Sequence, residues 1–367
     1  MASNIITSTD FLVGKQNFRK TEFIAGIDPG IELADGEILI KIDSFGFTAN
    51  NVTYAATGDS LKYWQFFPSS SEEWGRIPVW GFGNVFRSNH KSLSEGDRIY
   101  GYLPMSTFTI LKPDRISPEG FFDTTPHRRN LPAAYNSYNL CSGDPAYDPA
   151  FESEQMLLRP LAITSFLLED FLSDKNLFGA KSVLVSSASS KTALAFAFFL
   201  SKKKPKDCKI IGLTSARNIG SIRSLGYYDE LISYEEVGSL PKTTPTIYVD
   251  MAGNGKLTRE IHTYFQENLL YSCVVGVTHW EERSEEENLP GPKPSFFFAP
   301  ARIRKRTVDW GRGGVETKFG ESWKLFLPSI SKWMNIKKAS GKEEILSTYL
   351  EVLEGKSDPT TGNIMIF

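Results

Sequence analysis

KSVLVSSASSKTALAFAFFLSKKK, residues 181–204, runs from a short apolar strand through a turn of small polar residues into a helical segment. Further strands and helices alternate downstream: the strands KIIGLT (209–214), ELISY (230–234), TIYVDM (246–251) and YSCVVGVTHW (271–280), and the helices ARNIGSIRSLG (216–226) and LTREIHTYFQENLL (257–270). This alternation is typical of a parallel sheet with helices on both faces. The sequence therefore predicts an α/β fold with a doubly wound parallel (Rossmann) sheet domain over residues 159–300.

The segments before this domain are rich in short strands. DGEILIKIDSFGF (35–47) alternates apolar and polar residues, as a half-buried strand does. RIPVWGFGNVF (76–86) and GDRIYGYLPMSTFTIL (96–111) follow as strands interrupted by glycine. Closely spaced strands of this kind favour a small barrel or sandwich over strand–helix–strand units.

Two stretches have a different character. Residues 116–155 are crowded with Pro, Gly, Asn and Tyr and have no clear period, which predicts a long irregular loop, ordered because of its aromatic content. The C-terminal part predicts two helices and a closing strand, at 321–334, 343–355 and 362–367.

Composition limits the kind of partner. The 41 basic and 43 acidic residues give a net charge of −2, so there is no electrostatic reason to expect a nucleic acid or a membrane as partner. The three widely spaced cysteines cannot form a disulfide framework and lack zinc-ligand spacing. Neither a signal peptide nor a long apolar run is visible, which predicts a cytoplasmic protein. One basic cluster, residues 302–306, is interpreted as a solvated strand or hairpin edge rather than a phosphate or partner site.

The turn at residues 186–193, SSASSKTA, is the candidate phosphate loop, although it lacks the glycines of G-x-G-x-x-G. Free amides at a helix N-terminus favour an anion, and hydroxyls and a charge add to them. The candidate cofactor-binding residues here are Ser189, Ser190, Lys191 and Thr192. The alternative is a polar turn that only caps a helix.

The second strand ends in Thr214-Ser215-Ala216-Arg217, without the Asp or Glu that holds the ribose hydroxyls in NAD-binding domains. A 2′-phosphate would repel a carboxylate and pair with Thr214, Ser215 and Arg217. The sequence therefore favours NADP(H) as the cofactor. The alternative is an N-cap followed by an arginine that faces solvent.

Taken together, these segments resemble the medium-chain dehydrogenase/reductase superfamily, in particular its zinc-free quinone oxidoreductase and enoyl reductase branch. The resemblance runs over most of the chain, and its most specific short match is Gly96-Asp97-Arg98. It implies a GroES-like domain formed by residues 1–158 and 301–367, with the Rossmann domain inserted. It also implies an active site in the cleft between the domains, and frequent homodimerisation.

Departures from the family pattern concern zinc. Zinc-dependent relatives place Cys where this chain has Asn50-Asn51-Val52-Thr53, and Gly-His-Glu where it has Gly81-Phe82-Gly83. Neither phenylalanine nor these amides is a usual zinc ligand, so no metal is expected.

The resemblance places Asn50, Asn51 and Tyr54 on the substrate side, where Tyr54 would donate a proton and an asparagine would hold a carbonyl oxygen. His279 follows a strand at the carboxyl edge of the predicted parallel sheet and is a candidate acid or base. The alternatives are an asparagine at a turn, a tyrosine packed in a barrel and a histidine that caps a strand. His127 in the irregular stretch is interpreted as a solvated loop residue.

The leading hypothesis is a zinc-independent, NADPH-dependent reductase of a small carbonyl or α,β-unsaturated carbonyl compound. One alternative is a non-redox lyase, aldolase or hydrolase on the same fold that has lost its cofactor, and another is a catalytically silent binding protein. The altered phosphate loop separates these hypotheses, because it should matter only to the reductase.

Overall fold

The computed structural model describes residues 8–251, 253–275, 289–358 and 360–367. The chain divides into two compact units. The outer unit comprises Met1–Leu157 and Met334–Phe367, and the inserted unit comprises Leu158–Trp333. The sequence-based boundary at 300/301 therefore falls inside the inserted unit, which also contains the helices that follow it.

Strands occur along the whole chain. They are β1 (Thr9–Gly14), β2 (Asn17–Ala25), β3 (Ile38–Phe47), β4 (Trp74–Gly75), β5 (Pro78–Ser88), β6 (Arg98–Pro104), β7 (Phe108–Leu111), β8 (Pro113–Ser117), β9 (Gly120–Asp123), β10 (Ser137–Leu140), β11 (Ser182–Val185), β12 (Lys209–Thr214), β13 (Glu230–Ser233), β14 (Thr246–Asp250), β15 (Leu269–Val274), β16 (Ser295–Phe296), β17 (Asn335–Ser340) and β18 (Thr361–Ile366).

The α-helices are α1 (Ala49–Ala56), α2 (Glu152–Asp174), α3 (Lys191–Lys203), α4 (Ala216–Arg223), α5 (Gly255–Phe265), α6 (Ala299–Trp310), α7 (Gly314–Ile330) and α8 (Gly341–Leu353). None of the helices in the described ranges is long and apolar enough to cross a membrane.

The outer unit is built on two sheets. The larger has the order β17-β18-β3-β5-β6-β10-β9-β8, with β7 also paired to β3, and the smaller has the order β2-β1-β4. Long β3 and β5 form the centre, where apolar residues such as Ile40 and Phe45 are fully buried. The C-terminal strand β18 pairs with β3, so both ends of the chain contribute to one core.

The inserted unit contains a six-stranded sheet in the order β13-β12-β11-β14-β15-β16, with every pairing parallel. The strands β11 and β14 at its centre are buried along their whole length, as expected for parallel strands covered on both faces. The strand order reverses between β11 and β14, which is the point where doubly wound sheets bind ligands. The predicted fold class is confirmed.

Two local predictions are wrong. The stretch at 116–155 is not a plain loop, because β9 and β10 lie in it and extend the large sheet. The basic cluster at 302–306 is not a strand or hairpin edge but part of helix α6, and its Arg302 is buried.

Candidate functional site

The predicted phosphate loop joins β11 to α3 at the carboxyl edge of the parallel sheet. Ser187 has a φ of 50°, in the left-handed region where a glycine is normally found. The loop packs closely on β12, because a Cβ atom added to Gly212 would lie 2.8 Å from the Cβ atom of Ala188. The backbone thus keeps a glycine-type turn although the sequence has serine there.

The start of α3 is capped by the loop itself. The Ser190 hydroxyl accepts a hydrogen bond from the Ala193 amide over 3.3 Å, so this predicted cofactor-binding residue also has a capping role. The first amides of an α-helix have no intrahelical acceptor, and here they include that of Thr192. These amides give the loop a partial positive charge suited to a phosphate.

A polar group links the loop to the end of β12. The Ser189 hydroxyl lies 3.2 Å from the Thr214 hydroxyl, and the Asn218 amide nitrogen donates to both over 3.1 and 3.4 Å. Ser215 directly precedes α4, but its hydroxyl does not cap that helix. Arg217 is exposed, and it forms no ion pair within the described residues. The structure therefore brings Ser189 and Thr214 together, with Asn218 as a member that the sequence analysis did not single out.

Two tyrosines hold the loop from the side, and sequence reasoning missed both. The Tyr234 hydroxyl accepts a hydrogen bond from the Ser187 amide over 3.2 Å, and the Tyr228 hydroxyl donates to the Ala188 carbonyl over 2.9 Å. They lie more than thirty residues downstream, so only the packing of strand β13 beside β12 reveals them.

Buried Asp250 fixes the neighbouring edge of the sheet. Its carboxylate accepts hydrogen bonds from the Ser186 hydroxyl over 3.0 Å, the Gly253 amide over 2.9 Å and the Thr258 hydroxyl over 3.3 Å. A fully buried carboxylate with several donors is a rigid anchor. It ties the ends of β11 and β14 together beside the phosphate loop.

One stability prediction follows from the loop geometry. Replacing Ser187 with glycine removes the steric cost of a left-handed serine, so we expect the free energy of unfolding to rise by about 1 kcal/mol. The matched control is Ser189→Gly, at a position outside the left-handed region, which should lower stability. Urea unfolding of the three proteins measures both effects, and a Ser187→Gly protein less stable than the parent would contradict the prediction.

In the outer unit, the three candidate substrate-side residues lie on helix α1 but in different surroundings. Asn51 is buried, where its carbonyl oxygen accepts from the Thr48 amide over 2.8 Å and its nitrogen donates to the Pro78 carbonyl over 3.0 Å. The Asn51 side chain therefore forms a capping box with Thr48 at the start of α1. Asn50 is exposed and lies close enough to the Tyr54 hydroxyl to influence its pKa.

Tyr54 belongs to a group of aromatic residues that we call the tyrosine cluster: Tyr54, Tyr63, Trp80, Tyr102 and Tyr135. Burial raises the pKa of Tyr54 to about 12, and raises those of Tyr102 and Tyr135 further. These phenols therefore stay protonated at neutral and moderately alkaline pH. They can donate hydrogen bonds or a proton, but they cannot act as bases.

The two histidines considered in the sequence analysis and the position of the family's zinc ligand belong to neither the phosphate loop nor the tyrosine cluster as described. His279 lies outside the described residues. His127 is exposed, and its ring nitrogen lies 3.2 Å from the Phe66 carbonyl oxygen. Phe82, which occupies the position of a zinc-ligating histidine in the family pattern, is fully buried against Arg98 and Tyr100. Within the described ranges, no group of three or more His, Cys, Asp or Glu is arranged to hold a metal ion.

Solved structures with the same fold are found over the full chain. They include CurA from Vibrio vulnificus in complex with NADPH (13% identity, 98% of both chains, TM-score 0.58) and the quinone oxidoreductase from Coxiella burnetii (13% identity, 98% of this chain and 99% of the other, TM-score 0.57). TarJ from S. aureus in complex with NADPH is also similar (10% identity, 98% and 99%, TM-score 0.57). At these identities the likeness defines the fold, which is that of quinone oxidoreductases and enoyl reductases, and the predicted resemblance is confirmed at this level.

Family membership is more specific. The chain belongs to the family described as "Protein of unknown function (DUF2855)", whose model matches residues 45–358. No curated protein matches the sequence.

Proposed function

We propose that this chain is a zinc-independent, NADPH-dependent oxidoreductase that reduces a small carbonyl or α,β-unsaturated carbonyl compound. The observation that carries the proposal is the polar group at the end of β12, in which the Ser189, Thr214 and Asn218 side chains contact one another. Residues 214–218 contain no Asp or Glu, and Arg217 among them is exposed. Two proteins of the same fold, CurA and TarJ, have been solved in complex with NADPH, which supports the same cofactor here.

The residues of the inserted unit fit the phosphates of NADPH. The α3 N-terminus and the loop hydroxyls would hold the pyrophosphate, while Ser215 and Arg217 would hold the 2′-phosphate. The Ser187 amide is already engaged by Tyr234, so binding would depend on the later amides and hydroxyls of the loop. When bound, NADPH supplies the hydride for the reduction.

In the outer unit, Tyr54 would supply the proton. Its raised pKa of about 12 keeps the phenol protonated, which suits a donor to an oxygen that gains negative charge during reduction. Asn50, exposed beside this hydroxyl, would orient the substrate oxygen. His279 remains a candidate acid or base, and homodimerisation remains a prediction.

The test is titration of the purified protein with NADPH and with NADH, followed by fluorescence and thermal shift. We expect saturable NADPH binding that Arg217→Ala weakens about 5- to 20-fold, because it removes a charge-assisted contact to the 2′-phosphate. NADH binding should be weaker and unaffected by the substitution.

The matched control is Arg223→Ala, which removes an exposed arginine from the last turn of the same helix α4. It should bind NADPH as the parent does. Absence of saturable binding at NADPH concentrations up to the millimolar range would refute the reductase proposal. A non-redox enzyme or a silent binding protein would then be favoured.

A further inference from the structure

The tyrosine cluster concentrates hydrogen-bond donors from separate parts of the outer unit. Tyr54 lies on α1, Trp80 on β5 and Tyr102 on β6, while Tyr63 and Tyr135 lie in short 3-10 turns. The rings are in contact: centroids are 4.6 Å apart for Tyr54–Tyr63 and for Tyr102–Tyr135, and 5.2 Å apart for Trp80–Tyr102. Four phenol hydroxyls and one indole N–H thus belong to one aromatic group.

Two of these donors are left unpaired by the geometry of the cluster. The Tyr63 and Tyr135 hydroxyls pair with each other over 3.2 Å. The Tyr102 hydroxyl and the Trp80 indole nitrogen are both buried, and neither forms a hydrogen bond of normal distance and angle among the described residues. The Trp80 indole N–H lies near enough to the Tyr54 hydroxyl to lower its pKa, but it does not reach it with hydrogen-bond geometry. Because buried polar groups are nearly always paired, two such donors in one cluster indicate an absent acceptor.

The surroundings limit what that acceptor can be. Tyr102 is fully buried, whereas Tyr63, Trp80 and Tyr135 are half-buried. The three half-buried rings therefore lie between solvent and the buried Tyr102 hydroxyl. Tyr135 lies 6.1 Å from Trp80 and 4.6 Å from Tyr102 between ring centroids. Aromatic surfaces of this kind favour a flat ring that stacks on them or meets them edge to face.

We propose that the tyrosine cluster binds an aryl-conjugated carbonyl compound, with the Trp80 indole N–H and the Tyr102 hydroxyl donating hydrogen bonds to its carbonyl oxygen. The ligand's ring lies against Tyr63, Trp80 and Tyr135. This inference rests on the proposed function, since it names the substrate class of that activity. It assigns Trp80 and Tyr102 as substrate-binding residues in addition to Tyr54 and Asn50.

The experiment is calorimetric titration of the cofactor-free protein with three probes. Benzylideneacetone carries both the ring and the conjugated carbonyl, β-ethylstyrene carries the ring without the oxygen, and ethylideneacetone carries the carbonyl without the ring. The variants are Trp80→Phe and Tyr102→Phe, each of which removes one donor and keeps an aromatic ring. Trp74→Phe, a half-buried tryptophan outside the cluster, is the matched control.

We expect saturable binding of benzylideneacetone, with both other probes at least about tenfold weaker. Trp80→Phe and Tyr102→Phe should each weaken benzylideneacetone about tenfold and leave β-ethylstyrene unchanged, and Trp74→Phe should change neither. The Tyr102→Phe protein should fold, because the deleted oxygen has no acceptor in the described chain. Circular dichroism of both variants checks this.

Absence of saturable benzylideneacetone binding by the parent protein overturns the proposal. The proposal is also overturned if Trp80→Phe and Tyr102→Phe both bind benzylideneacetone as tightly as the parent does. If only one of the two variants binds it more weakly, the assignment of two donors is wrong. NADPH titration of the same proteins is independent of this result. A protein that binds NADPH but no aryl enone refutes the substrate class alone, and one that binds the enone but no NADPH refutes the reductase.

Discussion

Replacing Arg128 with methionine should lower the free energy of unfolding by about 3–5 kcal/mol, because it leaves the carboxylate of Asp123 buried without its partner. Both side chains are only 1% exposed, and the Arg128 guanidinium lies 2.9 Å from the Asp123 carboxylate. A charge that has lost its partner in such surroundings cannot recover its hydration without opening the structure.

Arg128 also joins the parts of the 116–155 stretch to each other. Its guanidinium donates to the Asn136 side chain over 2.9 Å, to the Tyr138 hydroxyl over 2.8 Å and to the Tyr135 carbonyl over 2.6 Å. It also lies over the rings of Phe66 and Phe67, 5.3 and 5.0 Å from their centroids. Loss of Arg128 should therefore loosen Tyr135 and weaken ligand binding at the tyrosine cluster.

Urea unfolding of Arg128→Met and of Arg129→Met measures the effect. Arg129 is the adjacent residue and is exposed, so its substitution should change stability by less than about 0.5 kcal/mol. If Arg128→Met does not fold, the double variant Arg128→Met/Asp123→Asn should fold, since it removes the charge but keeps the acceptor oxygen that binds the Lys112 amide. Equal stabilities of the two single variants would refute the role of the buried pair.

The parallel sheet was predictable from sequence because its strands are continuous apolar runs. The β12 strand occupies the predicted residues 209–214, and β14 begins where predicted. Such strands are buried on both faces, so local composition is enough to reveal them. The phosphate loop was also locatable, because it must lie between β11 and α3.

Features fixed by distant contacts were not predictable. The strands β9 and β10 are short and their pairing depends on Tyr138 and Phe121 stacking across the sheet, 5.3 Å between ring centroids. Tyr54 could be singled out by resemblance, but Trp80 and Tyr102 come from other strands and carry no local motif. Arginine is exposed in most proteins, so a sequence-based prediction places it in solvent and cannot identify one that is buried.

The basic cluster at 302–306 illustrates this last point, since three of its members form an ion-pair network with helix α2, Lys305 through a 3.6 Å contact with Asp174. The Arg302 guanidinium donates to the Asp170 carboxylate over 2.5 Å and to Asp174 over 2.9 Å, and Arg306 reaches the same two carboxylates over 2.8 and 3.0 Å. Asp170 and Arg302 are both buried. The network therefore fastens α6 to α2 within the inserted unit.

Replacing Arg302 with methionine should lower the free energy of unfolding by about 2–4 kcal/mol, with part of the loss offset by Arg306, which still faces Asp170. The matched control is Arg304→Met, on the same helix and exposed, which should have little effect. Thermal and urea unfolding at neutral pH compare the two proteins. A loss no larger than that of Arg304→Met would show that Arg306 alone neutralises the carboxylates.

The same substitution should change the response to acid. The hydrogen bond from Arg302 is the main reason that the pKa of Asp174 falls from 3.8 to about 2. A lowered pKa in the folded state stabilises the protein fully above the ordinary pKa, and this stabilisation is lost as the pH falls from about 4 towards 2. In Arg302→Met the pKa of Asp174 should rise towards its ordinary value. The difference in melting temperature between the parent and Arg302→Met should therefore shrink as the pH is lowered through this range, while that for Arg304→Met stays constant.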